Sequence, residues 1–167
     1  MAQHFLHAHF APLPLRTGSE SVHPFLEFLE TLKEDTLDDL YGYMEQLYGD
    51  LEANYTFDRE RVFLLGFSQG AILAQRVAAA GVIPARGVVV CAGDLPDDVG
   101  DKLAELPKRP VLIVHGEEDR SMKIERAIKA EKSYRDQGFD VETIYYEGGH
   151  DFPSDRLYTI ADWMESH

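Results

Sequence analysis

Along the chain, short apolar runs alternate with segments whose apolar residues recur every three or four positions. The runs at 4–10, 61–67, 87–93, 110–116 and 140–148 are rich in Val, Ile, Leu, Phe and Tyr and have the length of strands. Between them, 36–54 places Leu37, Leu40, Tyr41, Met44, Leu47, Tyr48 and Leu51 on one helical face, with Thr36 and Asp39 spaced as an N-cap and its third-position acid. The alanine-rich stretch after Ser68 reads as a mostly buried helix ending at Gly81. Residues 121–137 gather Ile124, Ala127, Ile128 and Tyr134 and stop at Gly138, and 154–165 align Leu157, Ile160, Ala161 and Met164. Strand–helix alternation with continuously apolar strands predicts an α/β fold: a mostly parallel sheet of about five strands, helices on both faces, in a single domain over 1–167.

In such sheets, sites form at the carboxyl ends of the strands. Three of these ends carry chemistry. At the first, Gly66-Phe67-Ser68-Gln69-Gly70 joins a strand to a helix. A G-x-S-x-G turn of this kind holds its serine on a sharp, strained bend, pushes the hydroxyl out of the sheet, and turns the next N–H, that of Gln69, toward a developing oxyanion. Side chains at the flanking positions are expected to clash with neighbouring backbone, hence glycine at 66 and 70. The pattern alone arises by chance in roughly one chain in twenty of this length; the strand before it and the helix after it give it weight. The second end is Val114-His115-Gly116-Glu117-Glu118-Asp119, three acids after a strand, which is equally the composition of a solvated loop. The third is Glu147-Gly148-Gly149-His150-Asp151, an imidazole between the last strand and the last helix, which read alone is equally a surface histidine. A serine nucleophile needs a base, and the base needs an anion to fix its tautomer. The order Ser, acid, His is that of the α/β-hydrolases rather than of chymotrypsin or subtilisin.

Composition narrows the alternatives. Thirty acidic against sixteen basic side chains give a net charge of −14, a surface that repels phosphate backbones and argues against nucleic acid as a partner. The lone cysteine, Cys91, lies in an apolar stretch, as a buried thiol in a reducing compartment would. The first ten residues lack the pattern of a signal peptide and no apolar run is long enough to span a membrane, so a cytoplasmic location is expected. His7 and His9, with His4 nearby, form an H-x-H on a predicted strand that could hold a metal, but no further ligands follow downstream, and the chain is shorter than the roughly 250 residues of a metal-dependent barrel. Neither G-x-G-x-x-G nor G-x-x-x-x-G-K-[ST] occurs, so nucleotide binding has no motif.

The stretches RVFLLGFSQGAILA, PVLIVHGEEDRSM and VETIYYEGGHDFP resemble the phospholipase/carboxylesterase branch of the α/β-hydrolases, which includes acyl-protein thioesterases and is related to dienelactone hydrolases. The similarity runs from about residue 55 to the end, and HFLHAHFAPLPL resembles more weakly a family strand ending in an Ala-Pro-x-x-Pro-like loop. The resemblance implies an abbreviated α/β-hydrolase fold, Ser68 as nucleophile, Asp119 as acid, His150 as base and the Gln69 N–H as one oxyanion donor. The implied reaction is cleavage of a small-molecule ester or thioester through an acyl-enzyme, with neither metal nor organic cofactor. Serine at 68 disfavours the thiol mechanism of dienelactone hydrolases, and Gly70-Ala71 stands where relatives often carry two glycines. Relatives also have further strands near the start, one ending in a Leu-His-Gly-like loop with the second oxyanion N–H. Either this chain is a short form, the favoured expectation, or Leu6-His7-Ala8 takes that place. A short form is expected to pair as a homodimer and to turn over weakly. The alternative is a relative that keeps the fold as a binding or assembly module.

Overall fold

The computed structural model describes residues 34–167. The predicted strand 4–10, its histidines His4, His7 and His9, and the Leu6–Ala8 alternative lie outside the described residues, as do the first 33 residues of the span 1–167 over which a single domain was expected. Residues 38–167 form one compact unit.

Helix α1 (Glu34–Asn54) leads through a short 3-10 turn at Arg59–Arg61 into β1 (Phe63–Phe67), followed by α2 (Gln69–Ala80), β2 (Gly87–Cys91), α3 (Asp97–Gly100), β3 (Val111–Gly116), α4 (Ile124–Asp136), β4 (Val141–Tyr146) and α5 (Leu157–Ser166). The strands form one sheet in the order β1-β2-β3-β4. Every pairing is parallel, with Phe63 opposite Gly87, Val88 opposite Val111 and Val111 opposite Val141. Parallel neighbours need a crossover, which α2, the α3 segment and α4 supply. Among the described residues there are four strands rather than five, and none of the helices is long and apolar enough to cross a membrane.

Alternation along the strands sorts the core into two layers. Val88, Val90, Val111, Ile113 and Val141 face Ala71, Ala74 and Ala78 of α2 and Ala127, Ala130 and Tyr134 of α4. On the other face Val89, Cys91, Leu112 and Val114 meet Ile160 and Trp163 of α5. All residues of β2 and β3 are buried, as inner parallel strands covered on both sides must be. Burial pushes the Cys91 thiol up to about 12. Gln75, buried in mid-helix, donates to the carbonyls of Ala71 (2.9 Å) and Asp94 (2.7 Å) and accepts from the Tyr134 hydroxyl (2.9 Å), tying α2, α4 and the loop after β2 together.

Local differences from the sequence expectation have physical causes. Helix α1 starts at Glu34, so Thr36 lies inside it and is not the N-cap, although the predicted face from Leu37 to Leu51 is the half-buried one. Strand β1 begins later than the apolar run because Asp58 accepts the Glu60 N–H (3.0 Å) and closes the 3-10 turn. Ile128 is 48% exposed, because α4 buries a narrow stripe through Ala127, Ala130 and Tyr134. In α5, Trp163 rather than Leu157 seals the core. The helix stops at Gly81 and Gly138 fall where expected, both in the left-handed region at φ +70° and +79°.

Trp163 packs edge-on against Phe63 (5.8 Å between ring centres) and donates to Glu142 Oε1 (3.1 Å). Trp163→Ala is expected to lower stability by about 3–5 kcal/mol. Leu157→Ala, at the exposed start of the same helix, should stay within about 0.5 kcal/mol. Urea unfolding of both variants checks the contrast; equal losses would mean that α5 docks otherwise.

Candidate active site

The serine is presented by a backbone that only one approach allows. A Cβ on Gly66 would lie 2.1 Å from the Gly70 carbonyl oxygen and 2.3 Å from its carbon, so residue 66 can carry no side chain. The chain reverses within one residue, and Ser68 adopts φ +53°, ψ −118°. Its N–H donates to the Cys91 carbonyl at the end of β2 (2.9 Å), and its own carbonyl accepts from Ala71 N–H (3.0 Å) to start α2. Gly70 corrects the expectation that both flanking positions need glycine: a Cβ there meets nothing within 4 Å among the described residues. Gly93, which sequence reasoning passed over, is as demanding as Gly66. Its Cβ would lie 2.4 Å from the Ala71 Cβ and 3.4 Å from the Ser68 carbonyl oxygen, so α2 is seated directly on the loop after β2.

Asp119 closes the turn after β3 and is buried, whereas Glu117 and Glu118 are exposed. Its Oδ1 accepts the N–H groups of Ser121 (2.8 Å) and Met122 (2.7 Å). Burial pushes the Asp119 carboxyl up, but hydrogen bonds from Met122, His150 and Ser121 outweigh it and hold the group below its ordinary value of 3.8.

The loop after β4 lies across the end of β3. A Cβ on Gly116 would sit 2.4 Å from the Gly148 carbonyl oxygen and 2.6 Å from that of Gly149. Glu117 N–H donates to the Tyr146 carbonyl (2.8 Å) and Glu118 N–H to that of Gly148 (2.9 Å). The Gly148-Gly149 pair thus makes its close approach against Gly116. It brings His150 Nδ1 to 2.6 Å from Asp119 Oδ2 and His150 Nε2 to 2.9 Å from Ser68 Oγ. The carboxylate can only accept, so Nδ1 carries the proton and the Nε2 lone pair faces the serine hydroxyl. The ring of Phe67, absent from the sequence-based site, lies 5.1 Å from the imidazole and meets Phe152 edge-on at 5.9 Å. Its signal was its place beside Ser68, which reads equally as core. Among the described residues no cluster of three or more His, Cys, Asp or Glu could hold a metal.

A parallel sheet with helices on both faces, a strained serine at a strand-to-helix turn, and an acid and a histidine after later strands define an abbreviated α/β-hydrolase fold. The chain belongs to the phospholipase/carboxylesterase family, whose family model matches residues 20–167. Among solved structures it is similar to SOBER1 of Arabidopsis thaliana, with 25% identity over 80% of this chain and 65% of that one and a TM-score of 0.65. It shares the fold of esterase PE8 (24% identity, 77% of this chain and 60% of that one, TM-score 0.64). It also shares the fold of the sugar hydrolase YeeB of Lactococcus lactis (19% identity, 81% and 71%, TM-score 0.65). The chain thus spans less than two thirds of the length of SOBER1 and PE8. No curated protein sequence matches it significantly.

Two outcomes are expected from this geometry. Gly66→Ala should prevent the elbow from forming and give a protein that unfolds well below the native melting temperature. Gly70→Ala, within α2, should match the native protein or gain about 0.4–1 kcal/mol. Thermal melts of the pair decide it, and equal damage at both positions would contradict the absence of any described neighbour within 4 Å of a Cβ at Gly70. Because the folded Asp119 carboxyl is depressed, its contribution to stability is complete above its ordinary value of 3.8 and is lost as pH falls through the lower folded value. Asp119→Asn should therefore lose less melting temperature than the native protein between pH 5 and about 2; parallel melting curves would exclude the depression.

Proposed function

We propose that the chain is a serine hydrolase that cleaves carboxylic esters or thioesters of small molecules through an acyl-enzyme intermediate. The observation that carries this reading is the continuous chain of hydrogen bonds from Asp119 through His150 to Ser68, 2.6 and 2.9 Å, at the carboxyl ends of the strands. As Ser68 Oγ attacks the substrate carbonyl, His150 Nε2 takes its proton, and Asp119 stabilises the imidazolium while holding the ring. The oxyanion faces the N–H of Gln69, the first amide of α2 and one of those without an intrahelical acceptor. The imidazolium then protonates the leaving alcohol or thiol. In the second half His150 takes a proton from water, the hydroxide attacks the acyl carbonyl, and Ser68 leaves with its proton restored. Family membership supports an ester hydrolase in general; the cleavable acyl chain and leaving group follow from the pocket and not from these three residues.

Two measurements test the reading: reaction with a fluorophosphonate, with the adduct mapped by mass spectrometry, and turnover of p-nitrophenyl esters of increasing chain length. An adduct at Ser68 with measurable turnover is expected. A folded protein inert in both would favour a non-catalytic role. Ser68→Ala and His150→Ala should each lower kcat by roughly 10⁴-fold or more, with the double variant little worse, because the residues act as one unit. Asp119→Asn should cost roughly 10³–10⁴-fold. Glu118→Gln should stay within about twofold, since its side chain is exposed. A larger loss at Glu118 than at Asp119 would transfer the acid role.

A further inference from the structure

His115, the penultimate residue of β3, is fully buried and stands outside the chain that links Asp119, His150 and Ser68. The rest of β3 is Val, Leu, Ile, Val and Gly, so an imidazole is out of keeping with the strand. Its Nε2 lies 2.7 Å from the Met122 carbonyl oxygen and 3.8 Å from Asp119 Oδ2. A carbonyl only accepts, so Nε2 carries the ring proton and donates it to Met122. Nδ1 is buried and has no hydrogen-bond partner among the described residues. An apolar side chain of similar size would fill the core without leaving a polar atom unpartnered, so packing alone does not account for a histidine here.

What the imidazole does is visible at Met122. The N–H of Met122 donates to Asp119 Oδ1 (2.7 Å), and its carbonyl accepts from His115 (2.7 Å), so one residue is held on one side by the carboxylate and on the other by the strand. Residues 117–123 form neither helix nor strand, and apart from Asp119 and the half-buried Met122 they are exposed. An exposed turn with few apolar contacts opens easily. Yet this turn has to keep Asp119 at 2.6 Å from His150.

We propose that His115 is a positioning residue that ties the turn carrying Asp119 to β3 through the Met122 carbonyl and so fixes the carboxylate against His150. The geometric part stands on the hydrogen bonds alone; its kinetic consequence rests on the hydrolase reading above. Without the tie, the turn samples positions in which Asp119 no longer meets Nδ1. His150 then loses its fixed tautomer and orientation, and a misplacement of about 1 Å suffices to cost up to roughly 10²-fold in rate.

The test uses the full chain and three variants. In His115→Gln the amide nitrogen stands about as far from the backbone as Nε2, in His115→Asn about as far as Nδ1, and His115→Leu removes the donor. The first readout is the low-field proton NMR resonance of the His150 Nδ1–H, assigned by its loss in His150→Ala and in Asp119→Asn. It should be sharp in the native protein and in His115→Gln, and broadened or lost in His115→Leu and His115→Asn. The second is p-nitrophenyl acetate turnover. His115→Leu and His115→Asn should lose about 10–100-fold in kcat with KM within about twofold, His115→Gln should recover most of it, and His115→Leu should add little to Asp119→Asn. If His115→Leu does not fold, the Gln and Asn variants decide. A native-like resonance in His115→Asn or His115→Leu, a Gln variant no better than Asn, or a loss that adds in full to that of Asp119→Asn would overturn the proposal. A native protein with the resonance but without turnover would sink the hydrolase reading while leaving the NMR comparison to judge His115. A native protein without the resonance would overturn the geometry and the proposal with it.

Discussion

The carbonyl of Gly70 occupies the space where residue 66 would otherwise carry a side chain, and most of the site depends on that contact. The approach forces β1 to end and α2 to begin within two residues, and it leaves Ser68 no backbone conformation but one with positive φ. Such a conformation costs of order 1–3 kcal/mol in isolation. Here it is offset by the bond to the Cys91 carbonyl and by the opening turn of α2, both of which exist only while the approach is kept. The small residues beneath α2 obey the same demand. Ala71 is completely buried and rests against Gly93, and Ala74 and Ala78 continue the contact with the sheet. The alanine-rich character of this helix is therefore a condition of the turn that precedes it.

A second close approach is laid over the first. Gly116 lets the loop after β4 cross the end of β3, and two backbone hydrogen bonds lock the crossing. The serine and the histidine are thus each placed by a contact between glycines and backbone, which side-chain motion cannot relax. The acid is placed differently, by hydrogen bonds within an exposed turn, and that turn is where a further clamp from β3 has something to do.

The frame was legible in the sequence because inner parallel strands are apolar throughout and helices repeat their apolar residues at 3.6: β1 to β4 and the helices after Ser68 and before Gly138 lie within the expected stretches, and the last helix runs one residue past its expected end. Periodicity says less about which of two adjacent apolar residues is buried. Trp163 displaces Leu157 because its ring reaches Phe63, and Ile128 lies off a stripe that the two alanines of α4 make narrow. At the candidate site, the residue types and their order could be read at strand ends. The distinction between Glu117, Glu118 and Asp119 could not, since three acids in succession differ only in which one the turn carries inward, and the resemblance alone favoured Asp119. The requirement at Gly93 was invisible because it arises from a helix packed on a loop some twenty residues later in the chain. The glycine at 70 showed the reverse: at a motif position that looked obligatory, a Cβ meets nothing within 4 Å among the described residues.

Ser68 and His150 follow the two outer strands of the four, with β2 and β3 between them, and 82 positions along the chain separate them. Three strand spacings amount to about 14 Å, which the loop after β4 spans by folding back over the ends of the inner strands. A fragment must therefore contain at least the 83 residues from Ser68 to His150 to hold the pair. The contacts that bring the two together are among the more distant in sequence, a class of contact that slows folding. Until they close, the Ser68 hydroxyl lacks the hydrogen bond to His150 that it makes in the folded protein.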